Sequence, residues 1–368
     1  MYDAFHPGQV WLDTEGKRIH AHGGSIITVN GTFYLYGENK EKSLPGTGIW
    51  HWGVRLYSST DLYNWKDEGL IMPPAPDPAH PLHHTQYMDR PHIIYHEKTK
   101  QFVMWCKIMN KDYLPDQFMT IAVADQITGP FRYLTRRTIL GFSSGDFDLT
   151  IDPDTGDGYI YFDKVHDYKD RTRQHTSIIC AKLSDDFTDV TGEFTEFWND
   201  PNQTLGREAP AFFIRNGQKY LLTSGCTGYF PNATECMTTQ GDYFGPWEPL
   251  GITHIGDTES TSFRSQISSV FRHPGKKDLY IALADRWLVE LPQDLPKDHT
   301  LTEIIVHNAN PDLEPLIPDA EWNRIRSCNI PHLRNTSIAD YVWLPIQFNG
   351  SKPEIRWLDS WRIEDFES

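Results

Sequence analysis

Residues 207–225 read REAPAFFIRNGQKYLLTSG. A charged pair, Arg207 and Glu208, leads into an apolar run (Phe212, Phe213, Ile214). Asn216-Gly217 follows, and then a second run rich in strand-forming residues (Tyr220, Leu221, Leu222, Thr223). Asn-Gly between two such runs is a strong local signal for a two-residue hairpin turn. The stretch therefore reads as one antiparallel hairpin that opens on a carboxylate. A charge entering a buried strand has to be paired, or desolvated and part-neutral.

The same grammar recurs four more times. It is found in AHGGSIITVNGTFYLYGE (21–38), MDRPHIIYHEKTKQFVMWCK (88–107), FDLTIDPDTGDGYIYFDK (147–164) and SQISSVFRHPGKKDLYIALAD (265–285). Each segment starts near a polar residue: His22, Asp89, Asp148, Glu208 or Gln266. These markers are spaced at intervals of about sixty residues. Runs such as VRLYSSTDLYNWKDEG, MTIAVADQITGPFRYL and TSIICAKLSDDFTDVTG supply an outer pair of strands to individual units. Five units of four strands predict an all-β fold, a five-bladed β-propeller. The last blade carries an insertion at about 288–340, and its outer strands fall in ADYVWLPIQF and KPEIRWLDSW. No linker or composition break divides the chain, so residues 1–368 are expected to be a single domain. The first strand of each blade lines the channel, so the five markers converge on one funnel.

Composition narrows the function classes. The 368 residues carry 34 Lys+Arg against 50 Asp+Glu, a formal net charge of −16. Without a basic stretch, nucleic acid and acidic lipid are not expected partners. No apolar run is long enough to span a membrane. A neutral ligand such as a sugar fits better, and a monomer is expected. The start, MYDAFHPGQ, has no signal-peptide pattern, which leaves a cytoplasmic protein or a processed secreted one. Five cysteines (Cys106, Cys180, Cys226, Cys236, Cys328) form no CxxC pair. Buried free thiols are expected ahead of a Cys226–Cys236 bridge, and no zinc site is expected. Aromatic residues make up 13% of the chain, with 12 Trp, enough for a β core and for sugar-stacking platforms.

Polar groups at a funnel that accepts sugar suit glycoside hydrolysis. That reaction needs a carboxylic acid with a raised pKa to protonate the leaving oxygen. In the inverting variant it also needs a base opposite. Glu208 is the candidate acid, against a structural pair with Arg207. Asp89 in MDRPHIIY is the candidate neighbour that tunes it, against a salt bridge with Arg90. Asp148 in DFDLTID is a candidate sugar ligand, with Asp146 as its rival. His22 beside two glycines, Glu38 at the end of YLYGE, and Tyr113, Thr227 and Trp287 in rim loops are candidate substrate contacts. Packing is the alternative for each.

Taken in order, AHGG…YLYGENK, DRPHIIY…FVMW, REAPA…LLTSGCTG, SQ…ADRW and YVWLPIQF resemble glycoside hydrolase family 43, and within it the exo-β-1,3-galactanase-like branch. The resemblance implies a five-bladed propeller, inversion at the anomeric carbon and an oligosaccharide or polysaccharide substrate of the β-1,3-galactan or arabinogalactan type. It implies Glu208 as general acid and Asp89 as its modulator, where the branch usually has glutamate. The family's first-blade aspartate base is missing from AHGG, and the branch's Ser-Gln motif puts Gln266 in its place. Gln266 would act through an imidic tautomer or hold the water while another group, Glu38 first, takes the proton. Asp148, Tyr113 and Thr227 match the branch's sugar-binding positions. No cofactor is implied. Some family members hold a channel calcium ion, but no loop here has calcium-ligand spacing. A different sugar specificity (α-L-arabinofuranosidase or β-xylosidase) and a non-catalytic sugar-binding propeller are the alternatives.

Overall fold

The computed structural model describes residues 1–368 except 113, 115, 166–176, 199–204, 291–297, 311–312 and 331–332. Its strands fall into five sheets, four of them wholly antiparallel. The first comprises β1 (His22–Val29), β2 (Thr32–Glu38), β3 (Val54–Ser59) and β4 (Lys66–Met72). The second comprises β5 (Tyr87–His96), β6 (Gln101–Met109), β7 (Gln117–Ala124) and β8 (Arg132–Arg137). The third comprises β9 (Ser144–Ile151), β10 (Gly158–Lys164), β11 (Ser177–Leu183) and β12 (Val190–Phe197). The fourth comprises β13 (Arg207–Arg215), β14 (Gln218–Gly225), β15 (Glu235–Thr239) and β16 (Glu248–Ile252). After the two-residue β17 (His254–Ile255) come β18 (Gln266–Arg272) and β19 (Tyr280–Arg286). The short β20 (Asp340–Tyr341) precedes β21 (Leu344–Asn349) and β22 (Lys352–Arg356).

The four regular sheets run in sequence order, each strand pairing antiparallel with the next one in the chain. The fifth runs β18-β19-β21-β22, with β17 added in parallel outside β22 and β20 pairing with β19. The first strands close a ring, because β1 packs on β5, β5 on β9, β9 on β13, β13 on β18 and β18 on β1. The architecture is a five-bladed β-propeller. Apolar clusters fill the gaps between blades. One joins the first and second blades through Leu56, Ile71, Met88 and Met104. Another joins the second and third through Trp105, Ile121, Phe147 and Phe162. The outermost strands instead alternate with solvent, as in β8, RYLTRR, whose charges discourage edge-to-edge pairing.

The first strands are not regular. Pairing slips by one residue right after the polar markers of β1, β5 and β13: between His22 and Ser25, Asp89 and His92, and Glu208 and Ala211. The residue after each marker is left-handed: Gly23 (φ 63°), Arg90 (φ 52°) and Ala209 (φ 53°). For the two non-glycine residues this costs on the order of 1–2 kcal/mol each, and the bulge re-aims the neighbouring side chains toward the channel. At Gly23 a side chain is excluded as well, since a Cβ would lie 2.5 Å from Glu38 Oε1.

The insertion between β19 and β20 contains α1 (Leu301–Ala309) and α2 (Asp319–Ser327). Thr300 and Glu303 form a capping box at the start of α1. Leu301, Ile304, Trp322 and Ile325 build a small core with Leu288 and with Phe230 of the fourth blade. Asn329 then hydrogen-bonds the loop after β14: its Oδ1 accepts from Tyr229 N (2.9 Å) and its Nδ2 donates to Thr227 O (3.3 Å). The five cysteines are free thiols, with Cys226 and Cys328 only half-buried. No described helix is long and apolar enough to cross a membrane.

Candidate active site

Where the bulged starts of the first strands meet the ends of the second strands, a cleft of about 350 Å³ opens. It is lined by Glu38, Asp89, Arg90, Lys107, Asp146, Asp163, Glu208 and Gln266, with Trp50, Tyr87, Tyr229, Trp287 and Arg334 on its walls. By contrast, the dent lined by Phe5, Trp11 and Trp343 holds about 30 Å³ and no carboxylate. Among the described residues no group of three His, Cys, Asp or Glu is placed to hold a metal ion.

The floor of the cleft is a chain of alternating charges. Asp89 accepts a hydrogen bond from the Trp50 indole (2.7 Å) and pairs with Lys107 (3.3 Å). Lys107 donates to Asp146 Oδ1 (2.5 Å), and Arg90 Nε reaches Asp146 Oδ2 (2.9 Å). Arg90 Nη2 donates to Gln266 Oε1 (2.5 Å), and Gln266 Nε2 donates to Glu208 Oε1 (3.2 Å) and Ser224 Oγ (2.7 Å). The partners settle the orientation of the Gln266 amide. A guanidinium can only donate, so the oxygen must face Arg90. Beside this chain, Glu38 pairs with Lys40 (2.7 Å) and accepts from the Arg90 backbone N–H (2.9 Å).

These neighbours divide the carboxyls into two groups. Burial disfavours the charged forms of Asp89 and Asp146, but their cations outweigh it. Lys107 and Lys40 act on Asp89, Arg90 and Lys107 on Asp146, and both carboxyls stay below the usual range. Glu208 is pushed up to about 8, first by desolvation and then by the charge of Asp146, with Lys107 and Arg90 only partly offsetting them. Burial likewise raises Glu38 to about 8. Asp163 lies well above its ordinary value because of burial, Asp146 and Glu208. Its Oδ1 has no partner among the described residues, as suits a neutral acid. A half-buried glutamic acid that keeps its proton at neutral pH therefore sits beside carboxylates that have lost theirs. Such a divergence of pKa values marks an acid/base site.

Of the residues singled out from sequence, Glu208, Asp89, Gln266, Glu38 and Trp287 come together in this cleft. Arg207 does not neutralise Glu208. Its guanidinium turns away to Thr223 and Glu235 (2.9 Å). The carboxylate whose charge acts most strongly on Glu208 is Asp146, and Asp89 connects to it through Lys107. Three expectations need correction. His22 is fully buried, with Nδ1 2.8 Å from Asp285 and its ring stacked on Tyr341, so it is a packed channel histidine and not a sugar contact. Asp148 is spent on structure. It pairs with His92 (2.8 Å) and accepts from Phe212 N (2.7 Å), tying three blades together beneath the cleft, and its rival Asp146 faces the cleft instead. The Thr227 hydroxyl donates to Phe230 O (2.6 Å) and accepts from Asn232 (2.7 Å), so it shapes the loop that presents Tyr229. Tyr113 lies outside the described residues. Sequence reading missed Arg90, Lys107, Tyr229 and Arg334. Arg90 and Lys107 stood beside or opposite the Asp89 marker, but Tyr229 and Arg334 lie in loops with no periodic signal.

Comparison with known proteins agrees with this picture. The family model described as glycosyl hydrolases family 43 matches residues 19–293, well over half the chain. A solved GH43 β-1,3-galactosidase is 27% identical, with 99% of this chain and 65% of that chain covered, at a TM-score of 0.77. The chain thus spans just under two thirds of the length of that structure. A second GH43 β-1,3-galactosidase, with galactodeoxynojirimycin, is 26% identical, with 98% and 100% covered, at a TM-score of 0.75. An exo-β-1,3-galactanase from Phanerochaete chrysosporium with β-1,3-galactotriose is 23% identical, with 98% and 68% covered, at a TM-score of 0.74; at that identity it speaks for the fold alone. Among curated proteins none matches.

Proposed function

The chain belongs to glycosyl hydrolases family 43, and from that premise we propose that it is an inverting exo-glycosidase releasing galactose from β-1,3-galactan or arabinogalactan-type side chains, with Glu208 as general acid. The observation that carries the acid assignment is the state of Glu208. It is open to the cleft yet held near a pKa of about 8 by burial and Asp146. A general acid near this pKa is mostly protonated at neutral pH and still strong enough to hand its proton to a leaving oxygen. The galactose assignment rests on the two GH43 β-1,3-galactosidases above 25% identity. All five blades and the insertion act in this proposal as one catalytic unit, using the chain's own residues.

Gln266 serves in its amide form. With Oε1 against the Arg90 cation and Nε2 donating to Glu208, the side chain orients the acid. The imidic tautomer would place a proton on the oxygen that Arg90 already contacts. Base work by Gln266 would need that contact to break; Glu38 is the carboxyl next in line, and with its pKa raised to about 8 it accepts the proton of the attacking water only in the fraction of molecules in which it is ionised. Trp287 and Tyr229, which meet edge to face at 5.4 Å, offer apolar walls for a sugar ring.

One observation favours a second reading, a sugar-binding propeller without turnover. The first-blade marker is the buried His22 and not an aspartate. A single experiment separates the readings: anomer-resolved NMR of products from β-1,3-galactobiose with wild type and Glu208→Gln. The proposal expects release of α-galactose by wild type and none by the variant. Galactobiose binding without hydrolysis would establish the second reading. Release of arabinose or xylose from the matching aryl glycosides, with no galactose, would overturn the assigned specificity.

A further inference from the structure

Among the described residues, Arg334 is a buried cation without a counter-ion. Its side chain lies in the wall between the cleft and a smaller side pocket and is 8% exposed. The guanidinium carbon sits 3.5 Å from the centre of the Tyr229 ring and 4.7 Å from that of Trp50. Trp50 is itself stacked on Tyr87 at 3.9 Å and held by its hydrogen bond to Asp89. These contacts fix the guanidinium and satisfy none of its five N–H donors. Among the described residues no ion pair or side-chain hydrogen bond reaches it. Every other cation on the cleft is engaged: Lys40 by Glu38, Lys107 by Asp89 and Asp146, and Arg90 by Asp146 and Gln266. Asp89 and Glu38 are the nearest carboxylates by electrostatic influence, and both are already spent.

An arginine does not give up its charge. Burying most of it without a partner from the chain carries a desolvation cost, which a partner from outside the chain would offset. A guanidinium held flat against an aromatic ring is well suited to bind an oxyanion with two parallel N–H bonds. The adjoining side pocket is lined by Ser43, Gly46, Gly48, Trp50, Tyr87 and Thr336 and holds about 60 Å³. That leaves room for several waters, and so for a carboxylate or sulfate group. Tyr229 on its wall keeps its phenol proton, since burial raises it well above the ordinary value, and so adds no competing negative charge.

We propose that Arg334 and this side pocket recognise an acidic substituent, a uronate carboxylate or a sulfate ester, on the sugar bound in the cleft. The proposal rests on the cleft being a sugar site, as above, and adds the charge class of what it accepts. Arg334 comes from the insertion in the last blade, and the loop it packs against, through Tyr229, is pinned by Asn329 of the same insertion. The selectivity would therefore be a property of the insertion and not of the propeller frame.

The test measures binding of D-galacturonate, D-glucuronate and galactose 6-sulfate against D-galactose and D-glucose, by calorimetry or ligand-observed NMR. It uses wild type, Arg334→Met and Arg334→Lys. At least one acidic sugar should bind wild type ten-fold or more tighter than its neutral parent, and the advantage should shrink in high salt. Arg334→Met, which keeps packing volume against Tyr229, should erase the preference, the ratio of acidic to neutral affinity falling from ten-fold or more to about one. Arg334→Lys should keep only part of it. Tighter binding of the sulfate or of a uronate identifies the source of the anion. Equal binding of acidic and neutral sugars by wild type overturns the proposal without reference to any variant, as does a variant that weakens both equally. Release of galactose from neutral β-1,3-galactobiose judges the hydrolase assignment separately, because that substrate carries no anion for Arg334.

Discussion

Asp146→Asn tests the electrostatic logic of the cleft. In the wild type, Asp146 neutralises Lys107 at 2.5 Å and Arg90 at 2.9 Å, and its charge is the strongest carboxylate influence raising Glu208. The asparagine removes that like charge and releases two cations that already pull Glu208 down. Both changes act in one direction. A close charge shifts a carboxyl by about 1–3 pH units, at roughly 1.4 kcal/mol per unit. The alkaline limb of kcat/KM on β-1,3-galactobiose should therefore fall from near 8 by at least about one unit. Leaving buried cations short of a partner should also cost on the order of 3 kcal/mol, the low end for a broken buried pair, because Asp89 still holds Lys107 at 3.3 Å. The sign of its pH dependence follows from the depressed pKa of Asp146. Its contribution is present above its unfolded value, near 3.8, and is lost as pH falls through the lower native value, so the stability gap between variant and wild type should narrow in acid. Adding Lys107→Met restores the net charge and should move the limb part of the way back. An alkaline limb that stays at 8 or rises in Asp146→Asn would refute the claim that Asp146 holds the proton on Glu208.

Three further outcomes are expected. Glu208→Gln should lower kcat by about 10²–10⁴-fold with sugar binding retained. The raised pKa of the wild-type group gives stability that is full below 4.5 and lost as pH rises toward 8, so this variant should be the more stable protein, relative to wild type, above pH 8 in thermal melts. Trp50→Phe removes the 2.7 Å hydrogen bond to buried Asp89 and should cost about 1–3 kcal/mol in urea unfolding; a cost under about 0.5 kcal/mol would show that the bond does not hold the carboxylate. Gly145→Ala places a Cβ 2.0 Å from Asp163 Oδ2 and should destabilise by about 1–3 kcal/mol, with part of the loss recovered when Asp163→Ala is added.

The propeller was readable because its signals are local. Strand alternation, turn dipeptides such as Asn216-Gly217 and a hairpin recurring every sixty residues or so each lie within a short stretch, and counting them counts the blades. The polar markers that open the repeats led to Glu208, Asp89 and Gln266, which the fold gathers on one cleft. The same rule failed at His22 and Asp148. Asp146 and Asp148 are two residues apart on β9, so strand periodicity alone would put both on the same face. The register breaks between Ser144 and Phe147, so Asp146 meets Arg90 and Lys107 in the cleft while Asp148, beyond the break, meets His92 between blades. Thr227 was near the site in sequence, but its hydroxyl is consumed by Phe230 and Asn232.

The sequence by itself determined the number of blades, the strands that line the channel and the chemical character of their first residues, since these depend on spacing and residue type along the chain. Only the tertiary structure decided which of those residues carry a proton, which are neutralised and which face the ligand. A pKa near 8 at Glu208 and a guanidinium at Arg334 that has no counter-ion among the described residues depend on groups brought together from different blades and from the insertion. Contacts across such distances along the chain leave no periodic trace in it.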